Sequence, residues 1–429
     1  DHARQLIQAG RYPAAPELCD WKDNNCNGVE DEGLWHERSG ARGVLSIGNQ
    51  YPARGGAPAM LRVGSDVFVA AASHQVNGSI DVFKLNGTDF TLVSGPVPVL
   101  QSNTTWSICN ANGLAYGKQA VRPVLAANGT LLAVTGVVAS QQNPQATCCS
   151  GDVHTMRTAV ALLDTGLGPV TSGTLASSAV GGCTDLSNPN FATRTTRAGI
   201  AWNPATSNWV TTWWDNVGLG SPPWTLRFST VNPDGGINAP RPVFNIAPNE
   251  ARNTFNLTEP HNNQPPTVAV GSSSVLFVWV NEGMAPLNNT SHLRWMTYDP
   301  ALTAPSLPLP GMWGFNSQLS PSGNRRPRLD GASFDGQHYR VVVTSGDATV
   351  GTDETKVLFI DQSGVLQLVR SLEDFNSQSS TIGYSAAGGT GVAYPGAGLI
   401  GVFNKGTYLR LKYGALVDGG ALQNSDLDL

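Results

Sequence analysis

Charged side chains are scarce in this sequence. They make up 13% of its 429 residues, about half of the share of roughly 25% that is typical of soluble domains. The formal net charge at pH 7 is -5, and no basic stripe is present that could neutralise the phosphates of a nucleic acid. Nucleic acid is therefore not expected as a partner.

Long apolar runs are also missing. No stretch of about 18 apolar residues occurs, so the sequence predicts no membrane span. The chain begins at Asp1 without a methionine or a signal peptide, which indicates a processed mature form or a fragment of a longer protein.

The standard catalytic signatures are absent as well. The sequence contains no G-x-S-x-G, H-E-x-x-H, phosphate-loop or C-x-x-C-H pattern. The stretches VNPDGGIN and IDQSGVL share only a turn with the Asp boxes of sialidases. No motif therefore identifies a nucleophile or a positioned base.

Cysteine is present in an even number, at Cys19, Cys26, Cys109, Cys148, Cys149 and Cys183. Adjacent cysteines usually bond to different partners, so Cys148 and Cys149 are predicted to pair with Cys109 and Cys183, which leaves Cys19 for Cys26. Six cysteines permit 15 pairings, and buried free thiols are the alternative. Seven N-x-S/T sequons begin at Asn77, Asn86, Asn103, Asn128, Asn256, Asn288 and Asn289. Together these features favour a secreted or cell-surface glycoprotein.

A repeated pattern organises the chain. Each unit has a short apolar run, a turn of Gly, Asn, Asp or Ser, and a second run rich in Val, Leu, Phe and Trp, as in AGIAWNPATSNWVTTWWD from Ala198. Six such units begin about 60 to 76 residues apart, which is the scale of a propeller blade. A second strand–turn–strand pair follows in the units, as in KVLFIDQSGVLQLVRSL. The pattern predicts an all-β, six-bladed β-propeller of four-stranded blades, with a seven-bladed propeller or a β-sandwich pair as alternatives.

The two ends of the repeat region predict how the ring closes. YLRLKYGALVDGG supplies a third strand to the last unit, but only a short tail follows it, whereas residues 43–48 form an unassigned strand before the first unit. A ring closes best when one blade takes a strand from the opposite terminus, because no sheet edge is then left exposed. We therefore predict that residues 43–48 pair beside residues 409–413. The chain is thereby divided into an N-terminal segment, 1–40, a propeller, 41–420, and a C-terminal tail, 421–429.

The stretch CDWKDNNCNGVEDEG, residues 19–33, combines five carboxylates with one lysine. Its spacing follows that of a calcium loop, with side-chain oxygens at positions one, three, five and nine, a glycine at six and a carbonyl at seven. These positions are Asp23, Asn25, Asn27, Asp31, Gly28 and Val29. Leu34 stands where an EF-hand has its bidentate glutamate, so Glu32 or Asp20 is expected to complete the shell. Calcium is the predicted cofactor because it prefers hard oxygen ligands; the alternative is a solvated acidic turn without metal.

The same stretch resembles the MopE-type metal-binding motif of secreted proteins, through the pattern C-D-x-x-D-N-N-C-N-G-x-x-D-E at residues 19–32. The resemblance implies a disulfide-pinned calcium loop that serves as a spacer or a stability element. Proteins with this motif include copper binders that use histidines and an oxidised tryptophan. A copper-binding secreted protein is therefore a weaker alternative, with candidate ligands at His36, His74, His154, His261, His292 and His338.

Function in a propeller normally lies at one mouth of the central channel, formed by the loops after the second and fourth strands of each blade. The sequence places possible ligand-binding residues there: Asp215, Glu259, His261, Glu282, Arg325 and Asp347. Paired carboxylates near a histidine can carry out acid–base chemistry on a sugar, although loops are polar simply because they are solvated. Four tryptophans could stack on sugars or pack between blades: Trp209, Trp213, Trp214 and Trp224.

Because no catalytic signature is present, the sequence favours a function without catalysis. We predict a secreted or cell-surface, calcium-binding β-propeller that acts as an adhesin, a surface-assembly subunit or a module that binds glycan or protein. The alternative is a secreted enzyme that acts on a polysaccharide or glycan with carboxylates at the propeller mouth. A glycan or another surface protein is the expected partner.

Overall fold

A computed structural model describes most of the repeat region. The described residues are 36–38, 45–46, 59–73, 79–87, 91–101, 120–141, 153–181, 198–216, 224–243, 266–282, 291–307, 309–314, 327–334, 336–347, 352–372, 390–394, 398–405 and 408–414. All 25 of their regular elements are β-strands, which confirms the all-β prediction. No helix in this part of the chain has the length and apolar character needed to cross a bilayer.

Five sheets each consist of four consecutive antiparallel strands. Sheet 1 contains β3 (Ala59–Val63), β4 (Asp66–Ser73), β5 (Ser79–Asn86) and β6 (Leu92–Gln101). Sheet 2 contains β7 (Ala120–Ala127), β8 (Leu131–Gln141), β9 (Val153–Asp164) and β10 (Pro169–Gly181), and sheet 3 contains β11 (Gly199–Asn203), β12 (Asn208–Asn216), β13 (Trp224–Val231) and β14 (Arg241–Pro242). Sheet 4 contains β15 (Thr267–Val270), β16 (Val275–Glu282), β17 (Ser291–Tyr298) and β18 (Gly311–Gly314), and sheet 5 contains β19 (Pro327–Phe334), β20 (His338–Asp347), β21 (Thr352–Asp361) and β22 (Leu366–Leu372).

A sixth sheet joins the two ends of the chain. It contains β23 (Thr390–Tyr394), β24 (Gly398–Lys405) and β25 (Tyr408–Gly414), and the edge of β25 pairs with β1 (His36–Arg38) and β2 (Leu45–Ser46). Leu45 lies opposite Leu409, and Ser46 lies opposite Tyr408. Of the predicted strand at residues 43–48, residues 45 and 46 therefore pair with β25, whereas residues 411–413 pair with residues 36–38 and not with the predicted segment. β1 extends the same edge, because His36 lies opposite Tyr413.

The sheets contact one another in sequence order through their first strands. β3 contacts β7, and the contacts continue through β11, β15, β19 and β23. β23 in turn contacts β3, so the series of contacts returns from sheet 6 to sheet 1.

Because every sheet is antiparallel, its strand ends define two edges. We call the edge where the second strand ends and the third begins the upper edge, and the opposite one the lower edge. The connections between successive sheets also leave from the upper edge, at residues 102–119, 182–198, 243–266, 315–326 and 373–389. Lower-edge turns can be as short as the two residues Gly64 and Ser65. The loops that vary most in length therefore gather at one edge, where loops can carry function on a rigid scaffold.

Apolar side chains fill the junctions between neighbouring sheets. Sheets 1 to 5 share four successive core clusters, each formed by residues of two adjacent sheets. β16 illustrates the arrangement: Phe277 belongs to the core shared with sheet 3, whereas Leu276 and Val278 belong to the core shared with sheet 5. Successive residues of a strand lie on opposite faces, so a strand between two sheets must be apolar at nearly every position.

Aspartates shape several lower-edge turns between third and fourth strands. Oδ1 of Asp361 accepts hydrogen bonds from the backbone N–H groups of Ser363 and Val365, both at 2.9 Å, and Oδ2 accepts one from Nε2 of Gln367 at 2.7 Å. Although burial alone would raise the pKa of Asp361, these hydrogen bonds favour the ionised form and lower it. Gly364 adopts φ 86° in the same turn, a conformation that other residues rarely adopt.

Candidate functional site at the upper edge

Three of the predicted mouth residues lie at the upper edge of consecutive sheets. Glu282 and Asp347 are the last residues of β16 and β20, and Asp215 is the penultimate residue of β12. The repeat places these carboxylates at equivalent positions because each follows the apolar run of a second strand. The other three predicted mouth residues, Glu259, His261 and Arg325, lie outside the described residues.

Glu282 and Asp347 end strands of two neighbouring sheets that share one core. Glu282 is four residues after Val278 on β16, and Asp347 is four residues after Val343 on β20. Val278 and Val343 both belong to the core between sheets 4 and 5. Both strands keep a continuous register with their third strands from the core to the upper edge.

A hydroxyl residue stands opposite each of the two acidic positions at the upper edge. Glu282 lies opposite Ser291 within sheet 4, and Asp347 lies opposite Thr352 within sheet 5. The pair therefore consists of two acidic positions from neighbouring sheets with a hydroxyl residue beside each. Two carboxylates arranged across a cleft can divide the roles of general acid and general base.

Asp215 lies on a different sheet. It is near the upper end of β12, opposite Thr225 of β13, and sheet 3 shares one core with sheet 2 and another with sheet 4. In the part of the chain that the structure describes, Glu282 and Asp347 are the acidic residues that end the second strands of two sheets sharing a core.

Asp81 was not among the predicted site residues. It is 5% exposed in β5, and its Oδ1 accepts a hydrogen bond from the hydroxyl of Ser79 at 2.5 Å. Asp81 lies opposite Ala71, two pairs below the upper end of β4 and β5. The sequence could have drawn attention to Asp81, because it stands inside the apolar run of SIDVFKLN. A carboxylate buried in such a run must be paired or hydrogen-bonded.

The sheet 4–sheet 5 junction is fixed from its lower edge. The hydroxyl of Tyr339 on β20 accepts a hydrogen bond from the backbone N–H of Gly271 at 3.1 Å and donates one to the carbonyl of Ser274 at 2.5 Å. Burial raises the pKa of Tyr339 to about 12, so its hydroxyl stays protonated at any physiological pH. The indole N–H of Trp295 also donates to the carbonyl of Gly364 at 2.8 Å. These contacts between sheets hold the two strands of the carboxylate pair in a fixed relation.

The four tryptophans divide into two groups. Trp209 and Trp213 are 0% and 1% exposed and belong to the core between sheets 2 and 3, so they pack between sheets and are not available to a sugar. Trp209 also makes an edge-to-face contact with Trp202, at a centroid distance of 4.8 Å. Trp224 begins β13 at the upper edge of sheet 3, opposite Asn216, and Trp214 lies two residue pairs below, opposite Leu226.

The histidines do not gather in the described part of the chain. His36 and His338 lie at the lower edge, whereas His154 and His292 lie at the upper edge of sheets 2 and 4. His74 and His261 lie outside the described residues. Among the side chains that the structure describes, no group of three or more His, Cys, Asp or Glu could hold a metal ion.

All the predicted calcium ligands, Asp20, Asp23, Asn25, Asn27, Val29, Asp31 and Glu32, and all six cysteines lie outside the described residues. Four of the cysteines nevertheless occur in connections that attach to one sheet. Cys109 precedes β7, Cys148 and Cys149 lie between β8 and β9, and Cys183 follows β10. The pairing of Cys148 and Cys149 with Cys109 and Cys183 stays a prediction.

Comparisons with known proteins identify the N-terminal motif. Residues 8–32 match a family model, Cu-binding MopE, described as "Putative metal-binding motif", which confirms the resemblance seen in the sequence. The match covers a small part of the chain and shows nothing about the remainder. No curated protein matches the chain at a significant level.

Solved structures resemble the whole repeat region. The GH93 α-L-arabinofuranosidase of Fusarium graminearum with arabinobiose has 9% identity and a TM-score of 0.50, with 91% of this chain and 99% of that chain covered. The α-L-arabinanase of Penicillium chrysogenum complexed with arabinobiose has 12% identity and a TM-score of 0.48, with 89% and 98% covered. The GH43 endo-arabinanase from Bacillus licheniformis has 8% identity and a TM-score of 0.35, with 86% and 94% covered.

The comparison corrects the predicted function. A binding or structural module without catalysis was predicted from the absence of catalytic signatures, and that prediction is wrong: the solved structure that matches with a TM-score of 0.50 is an α-L-arabinofuranosidase, which favours the glycan-acting alternative. The absence of a local motif is weak evidence against catalysis, because the two carboxylates of a glycosidase need not be close in the sequence.

Proposed function

We propose that the protein is a secreted glycoside hydrolase with Glu282 and Asp347 as its catalytic carboxylates. The observation that carries this proposal is their position at the upper ends of β16 and β20, in two neighbouring sheets that share one core. The fold likeness to the Fusarium graminearum arabinofuranosidase supports an enzyme on this scaffold, and arabinan is the first substrate to test. The even cysteine count and the sequons support secretion.

The scaffold of this proposal is a six-bladed β-propeller. It is supported by the six sheets of described strands, by the series of contacts that returns from β23 to β3, and by the pairing of β2 with β25. These features favour six blades over the two alternatives considered from the sequence, because a β-sandwich pair does not require contacts that run in order around six sheets.

The proposed reaction needs two carboxyl groups in different protonation states. The protonated member gives its proton to the glycosidic oxygen as the bond from that oxygen to the anomeric carbon breaks. The ionised member acts on the other side of that carbon, either by removing a proton from the attacking water or by forming a glycosyl-enzyme intermediate that water then hydrolyses.

Incubation of the purified protein with polysaccharides tests the proposal. We expect new reducing ends from at least one of linear arabinan, xylan, galactan and β-glucan, measured by a reducing-sugar assay. Proton NMR of the first product anomer then distinguishes inversion from retention of configuration. If none of the four polysaccharides yields new reducing ends, the proposed function is wrong.

We also propose that the N-terminal motif binds calcium away from the catalytic carboxylates. The oxygen ligands of Asp23, Asn25, Asn27, Asp31 and the Val29 carbonyl suit calcium better than copper. The matched motif ends four residues before β1 begins at His36, which lies at the lower edge of sheet 6. An extended residue spans at most about 3.6 Å, so this tether reaches about 14 Å from the lower edge.

Chelation should therefore lower stability without lowering the hydrolysis rate. We expect EDTA to reduce the melting temperature of the wild-type protein, while the initial rate of glycan hydrolysis at 25 °C stays within about twofold. Asp23→Ala should abolish calcium binding in isothermal titration calorimetry and should make the melting temperature insensitive to EDTA. If calorimetry shows no calcium binding to the wild type, or if elemental analysis finds copper in its place, the calcium proposal is wrong.

A further inference from the structure

Each sheet of the ring ends in an outermost strand, whose far side pairs with no further strand of that sheet in the part of the chain that the structure describes. In sheets 1 to 5 these edge strands are the fourth strands, β6, β10, β14, β18 and β22. In sheet 6 the edge of β25 is covered by β1 and β2. An uncovered edge offers N–H and C=O groups to any other extended chain, so proteins usually interrupt or shorten their edge strands.

Four of the five fourth strands are interrupted, short or poor in large side chains. β14 and β18 have two and four residues. β6 contains Pro96 and Pro98, which have no N–H, and its register with β5 shifts three times. β10 is longer, but its register with β9 shifts twice, and its regular part, residues 176–181, reads ASSAVG. These strands therefore offer little regular apolar edge to a partner.

The fifth of these strands, β22, has a regular and apolar edge. Its seven residues, LQLVRSL, include no proline, glycine or lysine, and its register with β21 is continuous from Leu368 to Leu372. Leu368 is 36% exposed, and Val365, which directly precedes the strand, is 53% exposed. A regular edge that combines available backbone groups with exposed apolar side chains is suited to the addition of another strand.

We propose that β22 is an interaction edge at which two copies of this chain pair antiparallel around a two-fold axis. A two-fold axis lets the same strand serve as both partners, so the molecule needs no second complementary surface. Sheet 5 of one copy, which has four strands, thereby continues into sheet 5 of the other. This inference is independent of the proposed glycan chemistry, because it uses neither of the candidate catalytic carboxylates.

The charge on β22 selects one register for this pairing. Arg370 is the one charged residue of the strand. A register centred on Arg370 places the two arginines directly opposite each other, which is destabilising. A register centred on Val369, the middle residue of the strand, instead places Leu368 opposite Arg370 of the second copy. It also pairs Leu366 with Leu372, so all seven residues take part.

The interface formed in this way is small. Pairing along seven residues buries one strand edge and few side chains, so its area stays below the roughly 1,200 Å² at which standard interfaces begin. We therefore expect a reversible dimer with a Kd on the order of 10 μM. Because the paired strands run in opposite directions, the upper edges of the two copies lie at opposite ends of the joined sheet. Dimer formation therefore leaves both upper edges accessible.

Sedimentation velocity of the full chain, at about 1 to 200 μM, tests the pairing. We expect the dimer fraction of the wild type to rise with concentration. Leu368→Lys places a cation opposite Arg370 of the second copy, twice per dimer, and should raise the Kd about tenfold or more. Leu368→Glu removes the same leucine but attracts that arginine, so its Kd should stay within about threefold. Leu92→Lys is the matched control, because Leu92 is 49% exposed on the β6 edge, and its Kd should stay within about twofold of the wild type.

Hydrogen exchange distinguishes strand pairing from association through side chains alone. Peptides that cover residues 366–372 should exchange more slowly at high than at low protein concentration, whereas peptides from β6 should not change. A wild type that stays monomeric over the whole range, a Leu368→Lys variant that dimerises as the wild type does, or unchanged exchange in β22 overturns the inference. An equal loss of dimer in Leu92→Lys and Leu368→Lys overturns the assignment to β22. An equal loss in Leu368→Glu and Leu368→Lys, with melting temperatures unchanged, overturns the register centred on Val369.

Discussion

Replacing Glu282 by glutamine should lower kcat for glycan hydrolysis by about 10³-fold, and Asp347→Asn should do the same, because a positioned general acid or base contributes about 10²–10⁴-fold. Both changes keep the shape of the side chain and remove only its ability to hold or release a proton. The loss should appear in kcat more than in KM, since the carboxylates act on the breaking bond. Initial rates on the best polysaccharide measure both constants.

A conservative change elsewhere provides the control for this experiment. Asp234 lies in an exposed lower-edge turn, where its Oδ1 accepts a hydrogen bond from the backbone N–H of Gly236 at 2.9 Å. Asparagine can accept the same bond, so Asp234→Asn should keep kcat within about twofold. Asp81→Asn tests the buried carboxylate of β5. If Asp81→Asn abolishes hydrolysis while Glu282→Gln and Asp347→Asn remain active, the catalytic pair is misassigned.

The pH dependence of hydrolysis should separate the two members of the pair. With both carboxyls intact, activity requires one to be protonated and the other ionised, so kcat should follow a bell-shaped curve. Each single variant removes one ionisable group, and its residual activity should lose one limb of that curve. The variant that loses the alkaline limb identifies the general acid.

The repeat made the sheets predictable from the sequence. Runs such as VLFVWV in β16 are apolar at nearly every position because a neighbouring sheet covers each face. The orphan strand at residues 43–48 was likewise predictable, since β25 would otherwise have a free edge. These features follow from local patterns and from the requirement that backbone hydrogen-bonding groups be paired.

The site was harder to predict from the sequence than the fold. The alternation of residues along a strand predicts that Glu282 and Asn281 differ in the face they occupy, as do Asp347 and Gly346. The sequence does not say which face meets which neighbouring sheet. That information came from core residues such as Val278 and Val343. The same limit applies to the tryptophans: Trp209 and Trp213 were recognisable as one face of a strand, but the core between sheets 2 and 3 was needed to show that this face is buried.

The hydrogen bonds between sheets were also not predictable. Tyr339 reads as an ordinary strand aromatic in HYRVVVTS, yet its hydroxyl contacts Gly271 and Ser274 of the preceding sheet. Such bonds depend on how a turn of one sheet meets a strand of the next, which is a long-range property of the ring. They matter for function because the two strands that carry the carboxylate pair belong to these sheets.

Closure of the ring by β1 and β2 should decide whether the chain folds cooperatively. Deleting residues 1–50 removes both strands and exposes the whole outer edge of β25, which invites pairing with other chains. We expect the free energy of unfolding in urea to fall by at least about 3 kcal/mol, a loss comparable to that of one large core side chain, and the protein to aggregate at lower temperature.

Deleting residues 1–35 is the matched control, because it removes the metal-binding motif but keeps β1 and β2. This shorter deletion should unfold in one cooperative transition and should retain glycan hydrolysis. The contrast between the deletions assigns the stabilising role to strand pairing, because both lack the motif and only the longer one lacks the closing strands. Equal stability of the two deletion variants would show that the pairing of residues 36–46 with β25 does not hold the ring closed, and a loss of hydrolysis on deleting residues 1–35 alone would place the N-terminal motif in the catalytic machinery.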